Sequence, residues 1–246
     1  MSRLKSIVKR LLASGPYRIV RAPINRFDAI DETLALLKRL GFEPRIVIDG
    51  GAHLGTFANM ASALFPQARL HLVEPQPACR VPLEKLAADR GFTFHPFALG
   101  SQRGIAHLFS DVPETPSTGA HMIPGDGPAP GTVDVPVRTL DELFAAEVRR
   151  EDRPLLKLDL QGQELLALQG GATVLPAVEV VLTEVSFFQQ GPEPTVPQLI
   201  AFFDRAGFDL FDVAALGGRT RDQRLRQGDF VFVRRGTPMW ADKGWL

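Results

Sequence analysis

The chain has 246 residues, 45% of them hydrophobic, and its 28 basic and 28 acidic side chains leave a formal net charge of zero. That length and apolar content suit one α/β core with a small extension, while the balanced charge excludes a global nucleic-acid signal. The lone cysteine, Cys79, excludes an internal disulfide and fits a reducing cytoplasm, and no apolar run approaches the roughly 20 residues of a membrane span.

The chain opens on a basic segment. Leu4, Ile7, Val8, Leu11 and Leu12 recur at helical spacing among Arg3, Lys5, Lys9 and Arg10. The segment lacks the sustained apolar stretch and small-residue cleavage site of a secretory signal. Its stripe suits packing on the core or on a partner subunit. Flanked by cations without an acid, it also suits peripheral contact with an anionic membrane surface.

A second helix is expected from Asp28 to Leu40, stopped by Gly41. Strands then follow near Ile46–Asp49, Arg69–Glu74, Thr93–Leu99, Leu155–Leu160, Val178–Val185, Phe208–Val213 and Asp229–Arg234. Helices fall near Thr56–Leu64, Pro77–Asp89, Leu140–Arg149, Gln163–Leu168 and Val196–Ala206. This alternation predicts a parallel sheet with right-handed crossovers. The last two strands are joined by a polar, glycine-containing link without room for a crossover helix, so that pair should be antiparallel. A mostly parallel seven-stranded sheet with an antiparallel C-terminal strand is the class I methyltransferase-like, Rossmann-like arrangement, by fold analogy. Between Ser110 and Pro136, prolines and glycines predict one long irregular segment, a lid or a binding loop.

The stretch Ile46-Val-Ile-Asp-Gly-Gly-Ala-His-Leu-Gly55 reads as a buried strand, a tight glycine turn and a helix start. That helix would aim its N-terminal N–H groups at a ligand. Glu74, in Leu72-Val-Glu-Pro75, lies about 20 residues on, where such folds place an acid for ribose hydroxyls. The pattern is that of a nucleotide-type cofactor site. The glycines do not keep the G-x-G-x-x-G spacing of a dinucleotide site, and Asp49 stands where phosphates would lie. A fixed negative charge there opposes an anionic ligand and suits a cationic one. S-adenosylmethionine, with a sulfonium, an ammonium and no phosphate, therefore fits better than NAD.

A second constellation, Leu155-Leu-Lys-Leu-Asp-Leu-Gln-Gly-Gln-Glu164, repeats the strand-then-glycine pattern. Asp159 falls at its strand's carboxyl end, and Glu184 at the end of the next strand. Two such acids can bind substrate hydroxyls, act as a base, or hold a divalent cation. The structural alternative is that one caps a helix and the other pairs with Lys157 or an arginine.

At this point the sequence resembles the FkbM-type methyltransferase family. The matching pieces are Val47-Ile-Asp-Gly-Gly-Ala-His-Leu-Gly55, Val73-Glu-Pro75, Phe97-Ala-Leu-Gly100, Ser117-Thr118, Val137-Arg-Thr-Leu-Asp-Glu-Leu143, Leu156-Lys-Leu-Asp-Leu-Gln-Gly-Gln-Glu164 with Gly170, Thr183-Glu184 and Leu225-Arg-Gln-Gly-Asp-Phe230. They run in family order over about Arg45 to Arg235. The resemblance implies S-adenosylmethionine-dependent methylation, usually of an oxygen on a sugar, glycolipid or secondary metabolite. It makes residues 1–40 an N-terminal helical extension and 41–246 the catalytic domain. Two departures stand out: His53 where the family usually carries Asn, and Gln161 where it usually carries Glu. His53 can still hydrogen-bond the methionine carboxylate, whereas Gln161 removes a charge near the substrate site.

Residue roles follow from both readings. Asp49, Gly51, His53 and Gly55 are expected at the methionine end of the cofactor, Glu74 at the ribose and Ala98 near the adenine. An alcohol acceptor must lose a proton during or after attack. His121, in the irregular segment, and Asp159 lead as the base, with His53 and His95 behind them and Glu184 beside Asp159. The partner is a small-molecule or glycan acceptor. No metal is assigned, although a divalent cation would be compatible with the acids. Two other classes stay open: a non-catalytic module that binds the cofactor, and an NAD-dependent oxidoreductase.

Overall fold

The computed structural model describes residues 25–112, 114–123, 130–189, 194–241 and 244. The amphipathic segment Ser2–Leu12 lies outside the described residues. Among them, no helix is long and apolar enough to cross a membrane.

The described chain begins with helix α1 (Arg26–Arg39), whose first turn is capped by Asn25, Oδ1 accepting from Asp28 N at 3.0 Å. It continues through β1 (Ile46–Gly50), α2 (Thr56–Leu64), β2 (Arg69–Val73), α3 (Pro77–Arg90) and β3 (Thr93–His95). After β4 (Ala98–Leu99), β5 (Gly104–Phe109), β6 (His121–Ile123) and β7 (Thr132–Arg138) come α4 (Leu140–Phe144), β8 (Leu155–Leu158), α5 (Glu164–Gln169) and β9 (Val180–Ser186). The chain closes with α6 (Val196–Arg205), β10 (Phe208–Arg219), β11 (Leu225–Arg234) and α7 (Pro238–Ala241).

Seven strands form the main sheet in the order β10-β11-β9-β8-β1-β2-β3. All pairings from β3 to β9 are parallel, and β11 runs antiparallel to both its neighbours. This is the class I methyltransferase-like arrangement expected. β1 and β8 are buried along their whole length, so their apolar runs serve both faces with a period of two. Ile46, Ile48, Leu156 and Leu158 pack on one face with Phe144, Leu168 and Phe203. Val47 and Leu155 pack on the other with Leu34, Leu37, Phe57 and Leu83. Helix α1 is thus part of the core layer.

Three expectations are corrected. The strand expected over Thr93–Leu99 breaks at Pro96, which has no N–H to donate to a ladder. Ala98–Leu99 then pairs with β7 rather than extending β3. The segment from Ser110 to Pro136 is not wholly irregular. It contains β6 and most of β7, which join a second sheet ordered β4-β7-β5-β6. Val133, Val135 and Val137 alternate along β7, with Val135 and Val137 buried, but the proline between them masks that period in the sequence. Finally, β10 and β11 run past Val213 and before Asp229, forming a long bulged hairpin from Phe208 to Arg234.

Candidate functional site

A cavity of about 310 Å³ opens at the carboxyl ends of β1, β2, β8 and β9, where open α/β sheets hold their ligands. The β1 turn shapes its floor. Gly51 has φ +74°, and a Cβ there would fall 1.9 Å from the Asp159 carbonyl oxygen, so the turn admits only glycine. The Gly51 and Ala52 amides donate to Val73 O at 2.9 and 3.1 Å, which ties the turn to the end of β2.

Glu74 follows β2 and is 4% exposed. Its Oε2 accepts from His53 N at 2.8 Å and its Oε1 from Gln76 N at 3.0 Å. Burial pushes its carboxyl above the ordinary range, against the pull of these amides. A carboxylate has about four acceptor sites, so the two amides leave capacity for a ligand in the cavity that Glu74 lines. The Gln76 side chain accepts from Ser117 N at 3.0 Å, joining this corner to the loop before β6. Ala98 and His53 also line the cavity. His53 has φ +49°, and its Nε2 is buried without a hydrogen-bond partner.

Asp49 and Gly55 lie beneath the turn and do not line the cavity. Asp49 is 1% exposed and its Oδ1 is 2.8 Å from Lys157 Nζ. Lys157 also donates to the carbonyls of Gly50 and Gly51, at 3.1 and 2.7 Å. Burial raises the Asp49 carboxyl and Lys157 opposes it. The fixed negative charge expected from the sequence is therefore part of a buried ion pair, and the charge argument against phosphate does not hold at this residue. Gly55 has φ +79° at the start of α2, where a Cβ would meet Leu86 at 2.2 Å.

The acids at the other end of the cavity are brought together. Gln161 Nε2 donates to Asp159 Oδ1 at 2.8 Å and to Glu184 Oε2 at 3.2 Å. Gln227 Nε2 donates to Glu184 Oε1 at 2.5 Å. Register places Asp229 on β11 opposite Glu184 on β9. Arg26, from the first turn of α1, grips both oxygens of Asp229, with Nε to Oδ2 at 2.6 Å. Its Nη2 also lies 3.0 Å from Glu184 and 3.1 Å from Asp159.

These contacts split the acids. Burial works against ionisation of Asp159, but Lys157 and Arg26 outweigh it and hold the carboxyl below its usual range. Burial and the Asp159 charge push Glu184 up to about 8. Burial also raises Asp229, despite its bonds to Arg26. Helix capping does not account for Asp159. The turn before α5 is held instead by Glu164, whose Oε1 accepts from Leu160 N at 2.7 Å and Gly162 N at 3.3 Å. Pairing with an arginine, the other structural alternative, is present in both acids.

His121 lines the cavity from β6 rather than from a loop. Its Nδ1 is 2.9 Å from the Gly119 carbonyl. A carbonyl can only accept, so Nδ1 carries the proton and Nε2 is the basic nitrogen. His95 lies away from the cavity, against His71 and Phe144. Among the described residues, no cluster of three or more His, Cys, Asp or Glu is placed to hold a metal ion. Reading the sequence missed Arg26, which carries no motif. Gln227 appeared only within a matching family piece, and Asp229 only there and as the first residue of an expected strand, although polar residues entering the apolar run Phe230–Val233 were a usable signal.

Residues 49–210 match the family model of the methyltransferase FkbM domain. No curated protein matches the chain. Among solved structures, it is similar to a methyltransferase FkbM of Methylobacillus flagellatus KT, at 16% identity and a TM-score of 0.46, covering 76% of this chain and 43% of that one. It is also similar to the magnesium protoporphyrin IX methyltransferase ChlM of Synechocystis PCC 6803, at 11% identity and a TM-score of 0.46, covering 94% and 96%. A third likeness is to Aeropyrum pernix fibrillarin, at 14% identity and a TM-score of 0.45, covering 82% and 74%.

Proposed function

The chain belongs to the FkbM methyltransferase family, and from that premise we propose that it methylates a hydroxyl oxygen on a sugar, glycolipid or secondary metabolite. The donor is S-adenosylmethionine, which supplies an electrophilic methyl group on a sulfonium. Two observations support its fit to the cavity: the spare acceptor capacity of Glu74 and the unpartnered, buried Nε2 of His53. In this reading Glu74 accepts from the ribose hydroxyls, Gly51 and His53 flank the methionine end, and Ala98 borders the adenine. Asp49 and Gly55 act from beneath, by holding the turn.

The observation that carries oxygen as the acceptor atom is the Asp159–Glu184 pair bridged by Gln161. An ionised Asp159 accepts a hydrogen bond from an incoming hydroxyl and orients its oxygen. Glu184, poised near 8, takes the proton once it is itself ionised, close to the range where a general base is most effective. His121 Nε2, on another wall of the cavity, is the second base to test.

A labelled-methyl screen against sugars, lipid-linked glycans and small phenols tests the reading. With an acceptor in hand, Asp159→Asn should keep cofactor affinity and lose turnover by roughly 10²–10⁴-fold. A melting-temperature drop with unchanged turnover would assign Asp159 to folding instead. Retained cofactor binding with no transfer to any acceptor would favour a non-catalytic module.

Peripheral membrane contact through Ser2–Leu12 is a separate part of the proposal, supported by the charge pattern of that segment alone. Co-sedimentation with anionic vesicles at low salt should lose the chain to the supernatant after Leu4→Glu and Leu11→Glu. Equal recovery of parent and variant there would remove the membrane role.

A further inference from the structure

We infer that Arg26 is a positioning residue of the acceptor site: its guanidinium gathers Asp159, Glu184 and Asp229 at one point and offsets their mutual repulsion. Arg26 stands outside the span 49–210 matched to the family, and its contact with Asp229 closes a separation of 203 residues. The inference rests on the acceptor site proposed at these strand ends.

The geometry divides the labour within one side chain. The planar guanidinium forks onto Asp229, which anchors it, and the same Nη2 then faces Asp159 and Glu184. Its backbone is fixed as well, because α1 is capped by Asn25 and buries Ile30, Leu34 and Leu37 in the core. Three carboxylates within reach of one nitrogen repel one another unless a cation or a proton sits among them. Among the described residues the other cation acting on Asp159 is Lys157 on β8, whose hydrogen bonds and ion pair go to Asp49 and two carbonyls rather than to Glu184 or Asp229. Glu164 on α5 adds a further acid on that side. Gln161 and Gln227 supply neutral donors only. Arg26 therefore joins Lys157 in keeping Asp159 charged beside Glu184 and Asp229, and its Nη2 contacts all three acids.

The two acids can be read directly by carbon NMR titration of side-chain carboxyls in the full chain, with signals identified through Asp159→Asn and Glu184→Gln. In Arg26→Gln the Asp159 midpoint should move up by about one to three pH units. Arg26→Lys, which keeps the charge and loses the fork, should move it in the same direction by less. Unchanged midpoints in Arg26→Gln would overturn the inference, whatever happens to the melting temperature. Should that variant fail to fold, an unchanged midpoint in Arg26→Lys overturns it instead. Calorimetry with S-adenosylhomocysteine on the same samples keeps the two readings apart. Arg26→Gln should bind it as the parent does, since Glu74 is untouched, and a large loss there would make Arg26 part of the donor site. A parent that binds none would strike the methyltransferase reading while the titrations still judge Arg26.

Discussion

Asp159 and Glu184 share a single donor amide, and their different neighbours give them different chemistry. Both are buried and both face Arg26, but Asp159 has Lys157 as a second cation, whereas Glu184 has the charge of Asp159 against its ionisation. The pair therefore holds one proton at neutral pH and releases it near 8, as a property of the pair. We expect kcat/KM to rise with pH through about 8 and that limb to vanish in Glu184→Gln. A profile that is the same in parent and variant, but altered in His121→Gln, would move the base to the histidine. Both strand-end acids were legible in the sequence, because an acid that closes an apolar strand run stands out. Their partners were legible only in type, as Lys157 or an arginine. Lys157 could be read as a partner for one of these acids, but only the fold sets it against Asp49, and nothing local marks Arg26 as the ligand of Asp229.

At the scale of elements, the two glycines of the β1 turn differ in what surrounds them. Both have positive φ, but a Cβ at Gly51 meets the backbone carbonyl of Asp159, whereas one at Gly55 meets the flexible Leu86 side chain. Gly51→Ala should cost more than Gly55→Ala, by about 1–3 kcal/mol in denaturant unfolding, because only the side chain can rotate away. Equal costs would mean that β1 and β8 can separate at that end. The parallel strands and their crossover helices could be read from apolar periodicity, since both faces of the sheet are covered and the runs are continuous. The second sheet could not. β5 and β7 pair across the proline-rich stretch, and Pro136 interrupts the alternation that would have announced β7. The hairpin of β10 and β11 was anticipated as antiparallel but too short, since its outer part mixes Ala214, Ala215 and Leu216 with glycines and charged residues and shows no apolar alternation.

The whole molecule combines these terms in its pH dependence. Glu184 and Glu164 have folded values of about 8 and about 7, above the ordinary 4.5. The folded chain then binds more protons than the unfolded one, so their contribution falls as pH rises. His95, lowered by burial to about 4, and His71, lowered likewise, act in the opposite sense up to the ordinary value of 6.5. Above 6.5 the histidine gain is complete and the acids alone remain. The melting temperature should therefore decline from pH 6.5 to about 8, and Glu184→Gln with Glu164→Gln should flatten that decline. A melting temperature that rises over this interval would mean that the two acids are ionised when folded. The central claim, that the cavity at the β1 and β2 ends holds the methyl donor through Glu74, is tested most directly by calorimetric titration with S-adenosylhomocysteine. The parent chain should bind it and ignore NAD, and Glu74→Ala should weaken binding by about 2–4 kcal/mol, roughly 30- to 1,000-fold. Equal affinity in parent and variant, or binding of NAD in its place, would contradict the account.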